Sequence, residues 1–101
     1  MTTMAVFDFI GETDELIRSY DELLDDVVAV SSARPLIHLA VPREYGLMVC
    51  DVWDTEDVCR RFLENSEFFA VLERHGMPEP RIRTFPVHNL GWPVSTMPLY
   101  R

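Results

Sequence analysis

The chain has 101 residues, of which 48% are hydrophobic, and a formal net charge of -8. That length and apolar content describe one folded domain and exclude a disordered tail. The acidic balance argues against a nucleic-acid partner, whose phosphates it would repel, and no apolar run approaches the roughly 20 residues needed to span a bilayer.

Residues 4–10 (MAVFDFI) form an apolar run with Asp8 as its one polar residue, which predicts a first strand. No basic flank precedes it, so no secretory leader is read, and a cytoplasmic location is the expectation. Gly11 ends the strand. Thr13 is placed to cap the helix that follows, with Asp14 and Glu15 in its first turn where the helix dipole favours anions. Leu16, Ile17, Tyr20, Leu23, Leu24, Val27 and Val28 recur at helical spacing and make one apolar stripe. The acids of this helix fall largely off the stripe, as a solvated face requires.

Ser31, Ser32 and Ala33 form a loop before a second strand over residues 35–41 (PLIHLAV). A short turn then leads into a third strand, GLMVCDVW at 46–53, so the two strands are expected to make a hairpin. Asp54 is placed to cap the second helix, which carries Val58, Cys59, Phe62 and Leu63 on one face. Asn65-Ser66 interrupts it, with Ser66 the expected cap of a shorter segment ending at Gly76. Residues 81–88 (RIRTFPVH) form the fourth strand, at an edge or with a bulge because of Pro86. The order β-α-β-β-α-β predicts a ferredoxin-like α+β sandwich, with a four-stranded antiparallel sheet and helices on one face. The domain is read as residues 1–90, followed by a tail over 91–101 that contains Trp92, Leu99 and Tyr100. Cys50 and Cys59 have neither CxxC spacing nor secretory context and are read as free buried thiols.

One layer of helices covers one face of a sheet, yet these strands do not alternate apolar with polar residues as a half-wet antiparallel sheet should. The first and third strands are apolar on both faces. A second copy packed sheet to sheet would cover the other face, so a homodimer enclosing a barrel is expected, with the tail lying across the partner.

The run GLMVCDVWDTEDVCRRFLENSEFFAVLERHG resembles the third strand and second helix of antibiotic-biosynthesis-monooxygenase-like proteins, within the dimeric α+β barrel superfamily. The carriers are a strand ending acid-x-aromatic (Asp51, Val52, Trp53) and a capped helix with an inward aromatic, Phe62. RIRTFPVHNLGW resembles the last strand of small members. The resemblance implies the fold and a range of activities, from cofactor-free oxygenation of polyketide phenols to isomerisation and haem degradation. Haem-degrading members rely on an Asn in the first strand, a Trp on the second helix and a downstream helical His. Here those places hold Asp8, Phe62 and, around Leu72 and Glu73, no histidine, while His75 is displaced. Haem degradation is disfavoured, and no cofactor is expected. Three histidines at these spacings match no metal-ligand pattern.

Polar residues within apolar strands are the candidates for chemistry. His38 and Asp51 are the catalytic candidates, since a carboxylate beside an imidazole holds the tautomer that takes a proton from a phenol. Asp8, Trp53, Arg83 and His88 are the substrate-binding candidates, with Arg83 offsetting a developing negative charge. Strand alternation puts Asp51 and Trp53 on one face and Cys50 and Val52 on the other. Giving the uniformly apolar face (Met48, Cys50, Val52) to the helices sends Asp51 and Trp53 toward the barrel enclosed by the dimer. Each candidate also has a structural role open to it: Asp51 in an ion pair or interface, His38 and Trp53 in packing. Two functions therefore stand: an oxygenase-like or isomerase-like enzyme acting on a small aromatic compound, or a non-catalytic binding or dimerisation protein whose interface is filled.

Overall fold

The computed structural model describes residues 1–91. Their elements are β1 (Thr3–Ile10), α1 (Thr13–Val30), β2 (Ile37–Arg43), β3 (Gly46–Trp53), α2 (Glu56–Leu63), α3 (Ser66–Arg74) and β4 (Arg81–Pro86). The sheet order is β2-β3-β1-β4 with every neighbouring pair antiparallel, which is the ferredoxin-like arrangement expected from the sequence. The second helix region is two helices, α2 and α3, divided at Glu64-Asn65. Expectations placed on Trp92, Leu99 and Tyr100 lie outside the described residues.

Each helix start is offset by one residue from the sequence expectation. Glu12 caps α1 by accepting from Glu15 N, Thr55 caps α2 through Val58 N, and Asn65 caps α3 through Glu67 N. Thr13 is not free to cap because its hydroxyl is used elsewhere. It donates to Arg43 O at 2.7 Å and accepts from Gly46 N at 3.2 Å, pinning the start of α1 to the β2–β3 hairpin. Gly46 is required there by space, since a Cβ would stand 2.5 Å from the Phe9 carbonyl oxygen. At the far end of α3, Gly76 has φ 76° and closes a Schellman motif. Met77 N donates to Leu72 O at 2.9 Å and Gly76 N to Glu73 O at 3.0 Å, and the Met77 side chain turns back into the core.

β2 runs two residues later than expected and contains Pro42, while β4 ends at Pro86 rather than at His88. Both are edge strands. A proline that cannot donate to a ladder is tolerated at an edge and discourages pairing with another sheet.

The core lies between the helices and one face of the sheet. Ala5, Phe7 and Phe9 of β1 and Leu47, Val49 and Trp53 of β3 meet Leu16, Leu23, Phe62, Phe68, Val71 and Leu72 from the helices. Aromatic rings chain through it: Trp53 to Phe62 at 4.8 Å between centroids, Phe62 to Phe68 at 4.6 Å, and Phe68 to Phe7 at 5.8 Å. This overturns the expected facing of β3. The helices cover the face of Leu47, Val49, Asp51 and Trp53, and Met48, Cys50 and Val52 belong to the open face. The uniformly apolar set lost because the large rings decide the packing, and because the polar group among them finds partners. Cys50 is correspondingly only half-buried, whereas Cys59 is buried; both are free thiols. Among the described residues, no helix is long and apolar enough to cross a membrane.

Candidate functional site

Register places His38 directly across from Asp51 on β2 and β3. Their side chains meet on the helix-covered face, with His38 Nδ1 to Asp51 Oδ1 at 2.5 Å. Asp51 is nearly buried, its side chain 8% exposed against 37% for His38. An ionised carboxylate only accepts, so Nδ1 carries the hydrogen and Nε2 of the neutral ring is left as an acceptor. Tyr20, one turn below Leu23 on α1, supplies its hydroxyl to Nε2. The phenol and imidazole planes are nearly parallel, 6° apart. The result is a chain, Asp51–His38–Tyr20, running from the buried sheet to the helix.

The hydrogen bond to Asp51 raises the His38 pKa above that of an ordinary imidazole, outweighing the opposite pull of burial. Burial, and then the charges of Asp51 and Asp21, push the Tyr20 phenol up. Tyr20 is therefore a neutral hydroxyl near pH 7 and suits a donor or relay role; His38 is the group able to take a proton.

This chain borders a cavity of about 240 Å³ between α1 and the sheet. Its walls are apolar, with Phe9, Leu23, Val27, Val49, Phe68 and Leu72 prominent, and its polar side chains are those of Tyr20, Ser31, Arg34, His38 and Asp51. Trp53 also lines it, and its indole N–H has no acceptor among the described residues. An apolar cavity of about 150 Å³ accepts benzene, so this one has room for a two-ring aromatic compound.

The residues singled out in the sequence fall on two faces of the sheet. His38, Asp51 and Trp53 come together at the cavity. Asp8 and Arg83 lie on the open face, where Arg83 Nη2 donates to Asp8 Oδ2 at 2.9 Å. They cannot reach a ligand held by His38, because the sheet stands between them. His88 is exposed, lies beyond the end of β4 and is absent from the cavity wall. This cavity thus sits within one chain, between helix and sheet. His75 is largely covered: its Nε2 bonds Asp26 Oδ2 at 2.7 Å and ties the end of α3 to α1. That bond, and then one from Arg74, lowers the Asp26 pKa.

Sequence reasoning missed Tyr20 and Arg34. Tyr20 was absorbed into the apolar stripe of α1, although a lone hydroxyl on a stripe that packs toward a histidine-bearing strand was the available signal. Arg34 lies in the connection before β2, where no periodicity marks it.

Three solved structures resemble the whole domain. Rv0793 from Mycobacterium tuberculosis aligns with TM-score 0.64 at 7% identity, covering 91% of this chain and all (100%) of that one. SnoaB, a cofactor-independent oxygenase from Streptomyces nogalater, aligns with TM-score 0.62 at 13% identity, covering 88% of this chain and 94% of its own. A Chloroflexus aurantiacus protein assigned to the antibiotic biosynthesis monooxygenases aligns with TM-score 0.58 at 14% identity, covering 90% and 98%. The fold is that of the antibiotic-biosynthesis-monooxygenase-like proteins. No protein-family model matches the chain, and neither does any curated protein sequence. At such identities the similarity to the monooxygenase-like structures resides in the path of the backbone, and any chemistry must be argued from the side chains of this chain.

Proposed function

We propose that the chain is a cofactor-free oxygenase acting on a small, electron-rich hydroxyaromatic compound, with His38 as general base. The Asp51–His38–Tyr20 chain at the wall of an apolar cavity carries this reading. The fold shared with a cofactor-independent oxygenase supports it. His38 Nε2 takes the phenolic proton, with Tyr20 turning its hydroxyl toward the incoming oxygen atom, and Asp51 stabilises the imidazolium that forms. The substrate anion then supplies electrons to dioxygen. A carbon–oxygen bond forms at the ring position activated by the phenolate, giving a peroxide anion that protonated His38 converts to the hydroperoxide. Loss of the ring hydrogen with cleavage of the O–O bond leaves a quinone and one water, so substrate plus dioxygen balances product plus water. The apolar walls exclude solvent from the anion while it reacts.

Naphthoresorcinol fits the cavity in size and gives a hydroxynaphthoquinone by this route. Oxygen uptake and quinone absorbance should rise well above autoxidation in the presence of the protein. His38→Ala should reduce the enzymatic rate by about 10²–10⁴-fold, the usual worth of a general base. A rate equal to autoxidation with the unaltered protein, while naphthoresorcinol still binds, would favour a binding protein over an enzyme.

We also propose that a second copy covers the open sheet face. Ile10, Leu39 and Phe85 are 66%, 43% and 40% exposed there, beside Met4, Met48 and Cys50, a contiguous apolar surface of the kind that marks an interface. The Asp8–Arg83 pair would be enclosed by such a partner. Sedimentation should give twice the chain mass, and Leu39→Glu should shift it to that of a single chain. A single-chain mass for the unaltered protein would remove the proposal.

A further inference from the structure

We infer that Arg34 makes the cavity selective for an aromatic compound bearing an anionic group, a hydroxyaromatic carboxylate, with the carboxylate at Arg34 and the phenol at His38. This inference rests on the cavity being the ligand site proposed above.

Arg34 is the one basic side chain among the cavity-lining residues apart from His38. It follows α1 directly, and its guanidinium is folded back over the helix end. Nη1 donates to Ser31 O and to Ala33 O, the latter at 2.9 Å, and Nη2 donates to Val28 O at 3.3 Å. These carbonyls belong to the last turn of α1 and the residues just beyond it, where helix carbonyls lack internal partners and a cation is favoured. The side chain is exposed, yet its position is set by three backbone acceptors.

Two consequences follow. Nη1 donates to two carbonyls and Nη2 to one, while the Nε–H has no acceptor among the described residues. Nε and Nη2 lie on one edge of the guanidinium fork, the kind of edge that receives a carboxylate. Arg60, Arg61, Arg74 and Arg83 each pair with a carboxylate, whereas Arg34, like Arg18, Arg43 and Arg81, pairs with none among the described residues, and of these unpaired arginines Arg34 is the one that lines the cavity. In a chain with 17 acidic residues against 9 basic ones, a cation held at an apolar cavity and left without a carboxylate partner is a selective feature. A neutral phenol would use the cavity and His38 alone. A hydroxyaromatic acid can engage both Arg34 and His38, which line the same cavity, and the held charge orients it, presenting its hydroxyl to the imidazole.

Three probes separate the possibilities: a hydroxynaphthoate, its methyl ester, and naphthol, each titrated into the protein by tryptophan fluorescence and by calorimetry. The acid should bind at least about tenfold more tightly than the ester, as a charge-assisted bidentate contact implies. Arg34→Gln should erase that preference and leave naphthol affinity within about twofold. Comparison of acid with ester on the unaltered protein keeps the test intact if Arg34→Gln, having lost a helix-end contact, fails to fold. Equal affinity for acid and ester, with naphthol bound, overturns the role of Arg34 and leaves the cavity reading standing. A preference for the acid that survives in folded Arg34→Gln likewise overturns it. Binding of none of the three overturns the cavity reading itself, and the inference with it.

Discussion

Asp51→Asn is expected to lower the His38 pKa and to abolish most turnover while the fold persists. The carboxylate is the main reason that the His38 pKa lies above the ordinary imidazole value. An amide removes the charge, and by offering its own N–H to Nδ1 it favours the tautomer whose Nε2 carries the hydrogen and cannot accept one. A loss of about 10²–10⁴-fold in rate is the expected result of disabling the base proposed above. The pH profile separates this from simple damage. In the unaltered protein the rate should rise with pH as His38 loses its proton, through a value above ~6.5; in Asp51→Asn any remaining activity should rise at lower pH. The same linkage acts on stability. Because the folded-state pKa is raised, the stabilisation from the ion pair is fully present below the unfolded imidazole value and is lost as pH climbs through the folded one. Solvent reaches a third of the His38 side chain, so screening keeps that contribution small. NMR titration of the His38 ring reads the shift directly, and an unchanged titration in Asp51→Asn would break the assignment.

Trp53→Ala is expected to cost the fold about 3–5 kcal/mol, the range for removing a large buried aromatic side chain. Trp53 is 1% exposed and begins the ring series through Phe62 and Phe68 to Phe7. Small domains have about 5–15 kcal/mol in all, so such a variant would keep little margin at 37 °C. Trp53→Phe should cost much less. It retains an aromatic ring, and it removes a buried indole N–H that has no acceptor among the described residues, relieving the desolvation that group incurs. Denaturant unfolding of both variants decides the matter. Equal losses would mean that a phenyl ring at this position recovers none of the packing attributed to the aromatic series.

The backbone was legible in the sequence wherever pattern and punctuation agreed. Gly46–Trp53 was bounded correctly because a continuous apolar run lies between a glycine and the polar start of a helix, and Gly76 marked the end of α3 because the left-handed residue there admits little else. Helix starts slipped by one residue where two cap-capable side chains sit in sequence, as in Glu12-Thr13, Asp54-Thr55 and Asn65-Ser66. At the first of these a long-range bond made the choice, Thr13 being drawn to Arg43 and Gly46 some 30 residues away. The pairing of His38 with Asp51 was anticipated as chemistry but put on the wrong side of the sheet. Apolar uniformity says which face is easy to bury; ring volume and the availability of Tyr20 say which face is in fact buried. Tyr20 and Arg34 depend on how α1 lies across the sheet, and that angle is written in no local pattern.

Because alternate residues of one strand point to opposite sides, β3 carries two unrelated inheritances in a single stretch of eight residues. Val49, Asp51 and Trp53 line the cavity, while Met48, Cys50 and Val52 lie on the open face of the sheet. A lineage could exchange its ligand by changing one set and its assembly by changing the other, with neither history constraining the next. The interleaving lets a short strand serve two masters, and it makes a shift of one residue in pairing the one change that would disturb both at once.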